Sequence, residues 1–312
     1  MPNFRFALSR SRVDGRAEWV EFARRTEDLG YDLLMVADHL GALGPFPALQ
    51  AAADATERLR IGTNVLNNDF RNPLLVAQET ATIDLLSGGR FELGMGAGWN
   101  IPEYEQAGIP FDSAGVRIAR LEESVAVLRR LFAGEQVDST GEHYQITSHT
   151  LDPLPSQGAA LPILIGGNGN RLLGVAGRHA TVVGFTGFTI RPQGPVPSHF
   201  TRSGLADRIE VVRAAAGKRF SELELSVLVQ RVEVTNDPTS AAEALATSFA
   251  DGGGSAPSPD EILDSPFALL GSVDQICERL QSIREELGVA TFTVFDARSA
   301  GFDAVVARLA AT

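Results

Sequence analysis

The amino-acid sequence predicts a (β/α)8 TIM barrel with insertion segments at its C-terminal face. Short apolar runs alternate with segments of helical periodicity along the chain, giving eight predicted strands. Polar residues and glycines cluster directly after several of these runs, at the strand ends where barrels place their sites. The chain has 312 residues, of which 44% are hydrophobic, so it can bury a large core. We therefore expect residues 1–312 to form one domain.

The predicted elements follow one another in β-then-α order. The strands are expected at 4–8, 33–36, 61–66, 91–95, 162–165, 181–185, 224–234 and 291–295. Helices with a period near 3.6 residues are expected at 46–56, 74–86, 114–132, 207–216, 240–250, 273–287 and 302–309. Two more helices are predicted, one that contains Trp19 and is closed by Gly30, and one that opens near Asn168. Ser272 and Gln275 form a capping-box pattern, and a hairpin is expected over 135–146.

Two segments interrupt this order, at about 186–203 and 251–268. The first is rich in proline and follows the sixth strand, so we expect it to act as a lid over the barrel mouth. The second begins with DGGGSAPSP over 251–259 and is expected to be a flexible link. The alternative, that either segment is a solvated loop without a role, remains open.

Composition excludes several classes of function. The net charge is −12 and Lys and Arg do not cluster, so no nucleic acid or anionic membrane is expected as a partner. No apolar stretch reaches the ~20 residues that span a bilayer, and the N-terminal residues lack the apolar centre of a signal peptide, so a cytoplasmic location is expected. Cys277 is the only cysteine, and no zinc-type spacing of Cys or His occurs, so no metal site is expected.

The polar groups after the predicted strands suit an organic cofactor that carries out its own redox chemistry. Asp38 and His39 follow the second strand, and Asn64 and Asn67 belong to the end of the third. The fourth strand runs into Gly96, Ala97 and Gly98, and the fifth into Gly166, Gly167, Asn168 and Gly169. The latter run precedes a helix, so its backbone NH groups could hold an anion, although a tight connection without a ligand would look the same.

Taken together, these motifs resemble the bacterial luciferase-like monooxygenase superfamily, and within it the branch of oxidoreductases that use the deazaflavin coenzyme F420. The resemblance covers nearly the whole chain. It rests on ADH at 37–39, IGTNVL at 61–66, RFELGMGAGWN at 90–100, RLEE at 120–123 with LRRLF at 128–132, the glycine pair at 166–167 followed by GR at 177–178, and LGSVDQI at 270–276. It implies a barrel with an insertion near the seventh strand and, commonly, a homodimer.

The resemblance also implies roles for individual residues. The residues implied to bind the cofactor are Asp38, His39, Asn64, Val65, Asn67, Gly96, Ala97, Gly98, Gly166, Gly167, Asn168, Gly169, Gly177 and Arg178. Among these, Asn64 and Val65 are expected to be joined by a non-proline cis peptide bond. The backbone NH groups of Gly166, Gly167, Asn168 and Gly169 are expected to receive the coenzyme phosphate, with Gly177 and Arg178 beside it. His39 is the expected catalytic residue, because an imidazole can exchange a proton near neutral pH. The alternative is that His39 only orients its neighbours.

One departure from the family pattern bears on the substrate. Sugar-phosphate dehydrogenases of this branch carry a glutamate where this chain has Trp99, and they hold the phosphate with lysines, which are absent here apart from Lys218. A less charged, partly aromatic or heterocyclic substrate is therefore expected, lined by Trp99, Phe185 and Phe188. Trp99 could instead have only a packing role.

Three functions follow from these observations. The leading one is a coenzyme F420-dependent oxidoreductase, a reductase that transfers a hydride from C5 of the reduced deazaflavin to a C=C or C=N bond of a small organic substrate. A separate reductase would supply the reduced coenzyme. The first alternative is an FMNH2-dependent luciferase-like monooxygenase, and the second is a non-catalytic protein that binds deazaflavin or flavin.

Overall fold

The computed structural model describes residues 2–191, 194–251 and 256–310, and it confirms the predicted barrel. The strands are β1 (Arg5–Ser9), β2 (Leu33–Val36), β3 (Arg60–Thr63), β4 (Leu66–Asn67), β5 (Phe91–Gly96), β6 (Val137–Thr140), β7 (Gln145–His149), β8 (Ile163–Gly167), β9 (Val182–Phe185), β10 (Thr189–Arg191), β11 (Gly194–Val196), β12 (Glu224–Leu228), β13 (Arg231–Val234), β14 (Ala268–Gly271) and β15 (Val289–Phe295). The helices are α1 (Arg16–Asp28), α2 (Pro45–Ala55), α3 (Pro73–Leu86), α4 (Ile101–Ala107), α5 (Ala114–Phe132), α6 (Asn170–His179), α7 (Arg202–Ala216), α8 (Pro238–Asp251), α9 (Pro259–Leu263), α10 (Val273–Leu287) and α11 (Asp303–Leu309).

The barrel closes through an unbroken ring of parallel pairings. Its order is β1, β2, β3, β5, β8, β9, β12 and β15, with β15 returning to β1 and β3 pairing directly with β5. Side chains alternate along each strand, so one set faces the helices and the other fills the barrel. A small apolar cluster formed by alternate residues of β1, β2, β8 and β9 lies on the inner side: Ala7, Leu33, Met35, Leu164 and Val182.

The N-terminal end of the barrel is filled by charged side chains. Arg5, at the start of β1, pairs with Glu92 at 2.6 Å and with Glu224 at 2.8 Å, and these carboxylates lie near the starts of β5 and β12. Because this end is occupied by an ion-pair network and the middle by the apolar cluster, the C-terminal strand ends are left to form the open mouth.

The expectation of one strand over 224–234 was wrong. β12 ends at Leu228, and the following residues turn out of the barrel, where Gln230 N donates to the carbonyl of Phe267. β13 then pairs with β14 in a separate two-stranded parallel sheet. Both halves have the strand pattern of hydrophobic residues, so the pattern could not show that they pair with different partners.

The predicted third strand is also divided. β3 ends at Thr63, the peptide bond between Asn64 and Val65 is cis, and β4 resumes the pairing with β5. The cis bond is at the position that the family resemblance implied. The short helices α4 and α9 were not predicted, and each begins with a proline in its first turn.

Both insertions contain regular structure. The segment 186–203 forms the hairpin of β10 and β11, with residues 192–193 outside the described residues, and α7 already begins at Arg202. The second segment contains the end of α8 and then α9, while residues 252–255 of the expected link lie outside the described residues. The hairpin expected at 135–146 is confirmed as β6 and β7, and the capping box of Ser272 and Gln275 is present. Among the described residues, no helix combines the length and apolarity needed to cross a bilayer.

Candidate active site

His39 lies at the end of β2 and is held from two sides. Its Nδ1 lies 2.8 Å from Oε1 of Glu103, whose side chain is only 9% exposed. The indole of Trp99 meets the imidazole edge-on, with ring centroids 5.8 Å apart and an interplanar angle of 81°. Trp99 itself is 48% exposed, so one side of this group is open to a bound molecule. With Nδ1 engaged by Glu103, Nε2 is the imidazole nitrogen that can face a ligand.

The glycines at the end of β5 allow the chain segments of the mouth to approach closely. A Cβ atom on Gly94 would lie 1.9 Å from the carbonyl oxygen of Thr63, and one on Gly96 would lie 2.6 Å from Cγ2 of Val65. Val65 also packs against the apolar cluster inside the barrel. The Val65 side chain therefore covers that cluster and forms an apolar floor for the mouth.

The Asn67 side chain is held through its amide oxygen. Its Oδ1 accepts a hydrogen bond from Asp69 N at 3.1 Å, and the hydroxyl of Tyr104 lies 3.0 Å from both this Oδ1 and Oδ2 of Asp69, so its one proton is shared between two acceptors. Burial raises the pKa of Tyr104, so its hydroxyl stays protonated and remains able to donate. Within the described part of the chain, Nδ2 of Asn67 has no protein acceptor, which leaves its two N–H groups for a polar ligand.

Asp38 supports this arrangement from behind. One of its oxygens accepts from the backbone N of Asn67 and from Nε of Arg71, both at 3.1 Å, and the other accepts from Arg71 Nη2 at 3.0 Å. Both carboxylate oxygens are thus engaged with protein groups. Asp38 therefore anchors the Asn67 backbone, and its expected contact with a cofactor stays a prediction.

The glycine run after β8 leads directly into α6, as predicted. α6 begins at Asn170, its N-cap is Gly169, and no side chain caps its N-terminal NH groups. Gly169 is exposed, and a Cβ atom there would have no neighbour within 4 Å. Uncapped NH groups at an open helix N-terminus can accept an anion.

The Asn168 side chain contacts the first insertion. Its Nδ2 lies 3.0 Å from both Ser198 Oγ and His199 Nδ1 and 3.2 Å from Thr189 Oγ1. Asn168 itself is 4% exposed, whereas its partner Ser198 lies at the surface. The Asn168 side chain thus connects the glycine run to the hairpin of β10 and β11.

Gly177 and Arg178 contact neighbouring helices. A Cβ atom on Gly177 would lie 2.8 Å from the carbonyl of Val212, so this glycine permits the close packing of α6 on α7. Arg178 pairs with Glu122 of α5 at 2.7 Å. Both residues lie at the C-terminal end of α6, about 12 Å along the helix from Gly169 at 1.5 Å per residue. These positions do not favour their expected contact with a coenzyme phosphate, which stays a prediction.

Two of the three expected substrate residues are also placed elsewhere. Phe185 is fully buried in the core between barrel and helices, because its neighbour Gly184 occupies the inward position, next to Gly166. Phe188 packs edge-on against Phe200, with ring centroids 5.3 Å apart. Only Trp99 of the three lies at the mouth beside His39.

Three residues of the site, Glu103, Tyr104 and Arg117, were not predicted from the sequence. The first two are on α4, and Arg117 Nε donates to the carbonyl of Ala97 at 3.2 Å, which braces the loop after β5. Pro102, two residues beyond Asn100, was the available signal for a helix that would carry Glu103 and Tyr104. Among the described residues, no group of three or more His, Cys, Asp or Glu side chains is arranged to hold a metal ion.

Comparison of the sequence with known proteins shows the family to which the chain belongs. The family model described as luciferase-like monooxygenase matches residues 2–291. The F420-dependent glucose-6-phosphate dehydrogenase of Kribbella flavida is 32% identical over 238 residues, which are 73% of this chain and 68% of that protein. The enzyme of the same name from Amycolatopsis mediterranei is 35% identical over 173 residues, or 53% of this chain, and the match spans about half (51%) of its length.

Two solved structures have the same fold over nearly the full length. A coenzyme F420-dependent tetrahydromethanopterin reductase from Methanopyrus kandleri has a TM-score of 0.77 at 19% identity, covering 98% of each chain. An F420-dependent secondary alcohol dehydrogenase in complex with an F420-acetone adduct has a TM-score of 0.75 at 21% identity, covering 99% of this chain and 98% of the other.

Proposed function

Since this chain belongs to the luciferase-like monooxygenase family, we propose that it is a coenzyme F420-dependent oxidoreductase that reduces a C=C or C=N bond of a small organic substrate. The observation that carries the proposal is the position of His39, at the barrel mouth with Nδ1 bonded to Glu103 and Nε2 open. The relatives that are identical to this chain at about a third of the aligned positions are named as F420-dependent, which supports this coenzyme over FMN.

The described residues fit such a coenzyme. The N–H groups of Asn67 Nδ2 match the carbonyl-bearing edge of a deazaflavin ring, and Val65 offers an apolar surface beneath it. The uncapped N-terminus of α6 after Gly169 suits a phosphate. When bound, the reduced coenzyme supplies a hydride from C5.

The protein's own contribution would be to orient the two reactants and to move a proton. His39 would hold the transferable proton on Nε2, the imidazole nitrogen facing the mouth, and release it to the atom next to the one that receives the hydride. Trp99 would cover the substrate against water with its exposed face.

Glucose 6-phosphate is disfavoured as the substrate, although the curated relatives act on it by name. Trp99 stands where the sugar-phosphate enzymes carry a glutamate, and the only lysine, Lys218, is exposed in a 3-10 turn after α7. A half-exposed indole at the mouth favours a flat, weakly charged molecule. Phe185 and Phe188 pack against the core, so the expectation of an aromatic or heterocyclic substrate rests on Trp99 alone.

The test is to incubate the purified protein with F420 and, separately, with FMN, and to measure binding by fluorescence quenching. We expect F420 to bind more tightly. Tight binding of FMN alone would refute the proposal in favour of the monooxygenase. Binding of F420 with no turnover of any substrate in a broad panel would favour a storage protein. His39→Ala should reduce turnover more than it weakens coenzyme binding, and the opposite ranking would make His39 a binding residue.

The proposal includes a homodimer in the cytoplasm, with a separate reductase that supplies the reduced coenzyme. Light scattering after size-exclusion chromatography measures the oligomeric state. A monomer at micromolar concentration would contradict it.

A further inference from the structure

We infer that Glu103 is a positioning residue that holds the proton of neutral His39 on Nδ1 and so reserves Nε2 for proton exchange with the substrate. The structural part of this inference stands on the contacts of the two side chains. Its consequence for turnover rests on the proposed function.

The contact has the features of a specific pairing. The 2.8 Å separation of Glu103 Oε1 and His39 Nδ1 is that of a strong hydrogen bond, and the Glu103 side chain is nearly removed from water. Within the described residues, His39 is the one partner of the Glu103 side chain. A nearly buried carboxylate with one histidine partner depends on that partner to offset its loss of hydration.

The chemistry of the two groups then determines where the proton lies. An ionised carboxylate only accepts hydrogen bonds, so the imidazole nitrogen facing Glu103 must carry a proton. In the neutral imidazole the other nitrogen, Nε2, then has a free lone pair. When the imidazole takes up a second proton, that proton is on Nε2, which is the nitrogen open to the mouth.

The surroundings keep the imidazole in this orientation. Trp99 packs edge-on against the imidazole, and Glu103 is fixed in the first turn of α4, where its backbone N donates to the carbonyl of Asn100 at 3.0 Å. A carboxylate near a helix N-terminus is also favoured by the helix dipole. Rotation of the imidazole would therefore break the bond to Glu103 and displace the ring from the indole.

The inference is tested first without coenzyme or substrate. Nitrogen NMR of protein labelled in histidine, with the His39 signal assigned by its loss in His39→Gln, reports which nitrogen carries the proton. We expect the Nδ1–H form in the unmodified protein. The Nε2–H form there would overturn the inference whatever the variants show.

Variants then separate positioning from packing. Glu103→Leu removes the acceptor, Glu103→Gln keeps an oxygen that can accept, and Glu105→Leu changes an exposed glutamate on the same helix as a matched control. We expect Glu103→Leu to give mixed forms of His39, Glu103→Gln to retain most of the Nδ1–H form, and Glu105→Leu to match the unmodified protein. A His39 signal unchanged by Glu103→Leu would contradict the inference.

Kinetics with the reduced coenzyme provide the second readout. Glu103→Leu should lower kcat by about 10²-fold, the lower range of general acid–base catalysis, with KM and coenzyme affinity within about threefold, and Glu103→Gln should restore part of the loss. An equal loss in Glu105→Leu, or a change confined to KM, would refute the positioning role. If no substrate is turned over, the NMR result still decides the proton's location, so failure of the proposed function is distinguishable.

Discussion

Replacement of Gly98 by alanine is expected to damage the site more than its backbone conformation alone would suggest. Gly98 has φ +73°, in the left-handed region, and it faces two groups of the site. A Cβ atom there would lie 1.9 Å from the hydroxyl oxygen of Tyr104 and 2.6 Å from Oδ1 of Asn67. These two atoms hydrogen-bond each other, so the new methyl group would enter the bond that orients the Asn67 amide.

A second glycine provides a control for the cost of placing alanine in the left-handed backbone region. Gly108, at the end of α4, has φ +68°, and a Cβ atom there would have no neighbour within 4 Å. Alanine in the left-handed region costs about 1–2 kcal/mol at either position. At Gly98 the Tyr104 hydroxyl must also retreat by about 1.5 Å to reach the 3.4 Å of ordinary contact. Loss of its bond to Asn67 Oδ1, which still accepts from Asp69 N, adds about 0.5–1.5 kcal/mol.

Denaturant unfolding and coenzyme binding together check this expectation. Gly98→Ala should lose roughly 0.5–1.5 kcal/mol more of the free energy of unfolding than Gly108→Ala. It should also weaken coenzyme binding about tenfold, the equivalent of one displaced hydrogen bond near 1.4 kcal/mol, whereas Gly108→Ala should not. Equal losses in the two variants would refute the role assigned to the contact between Tyr104 and Asn67.

Three further predictions follow from the placement of other residues. Arg178→Ala should change coenzyme affinity by no more than about threefold, because Arg178 forms an exposed ion pair with Glu122, and such pairs contribute about 0–1 kcal/mol. A large loss of affinity in a fluorescence titration would show that Arg178 does contact the coenzyme. Trp99→Ala should raise the KM for substrate about tenfold, roughly 1.4 kcal/mol of stacking, without lowering the unfolding midpoint, and an unchanged KM would remove Trp99 from the substrate site. Asn168→Ala should increase amide hydrogen exchange over residues 186–191, because it removes the amide that contacts Thr189, and unchanged exchange would contradict that connection.

The sequence predicted the site best where a residue's backbone position decides its role. His39 follows a strand of four buried residues, so its place at the mouth required only the barrel order. Phe185 was misplaced although alternation along β9 could have located it, since Gly184 takes the inward position. Glu103 was not predicted because its role depends on a contact with His39, which is 64 residues away in the sequence. Local sequence patterns do not show contacts between residues so far apart.

By itself, the sequence determined the barrel, the order of its strands and the polar strand ends, because hydrophobic periodicity reports which face of each element is buried. Only the tertiary structure decided how the polar groups are paired. It showed that Asp38 is committed to Arg71 and Asn67, that Arg178 is paired on α5, and that His39 has a nearly buried carboxylate behind it. Hydrogen bonds between distant residues depend on distance and direction in space, and periodicity along the chain contains neither.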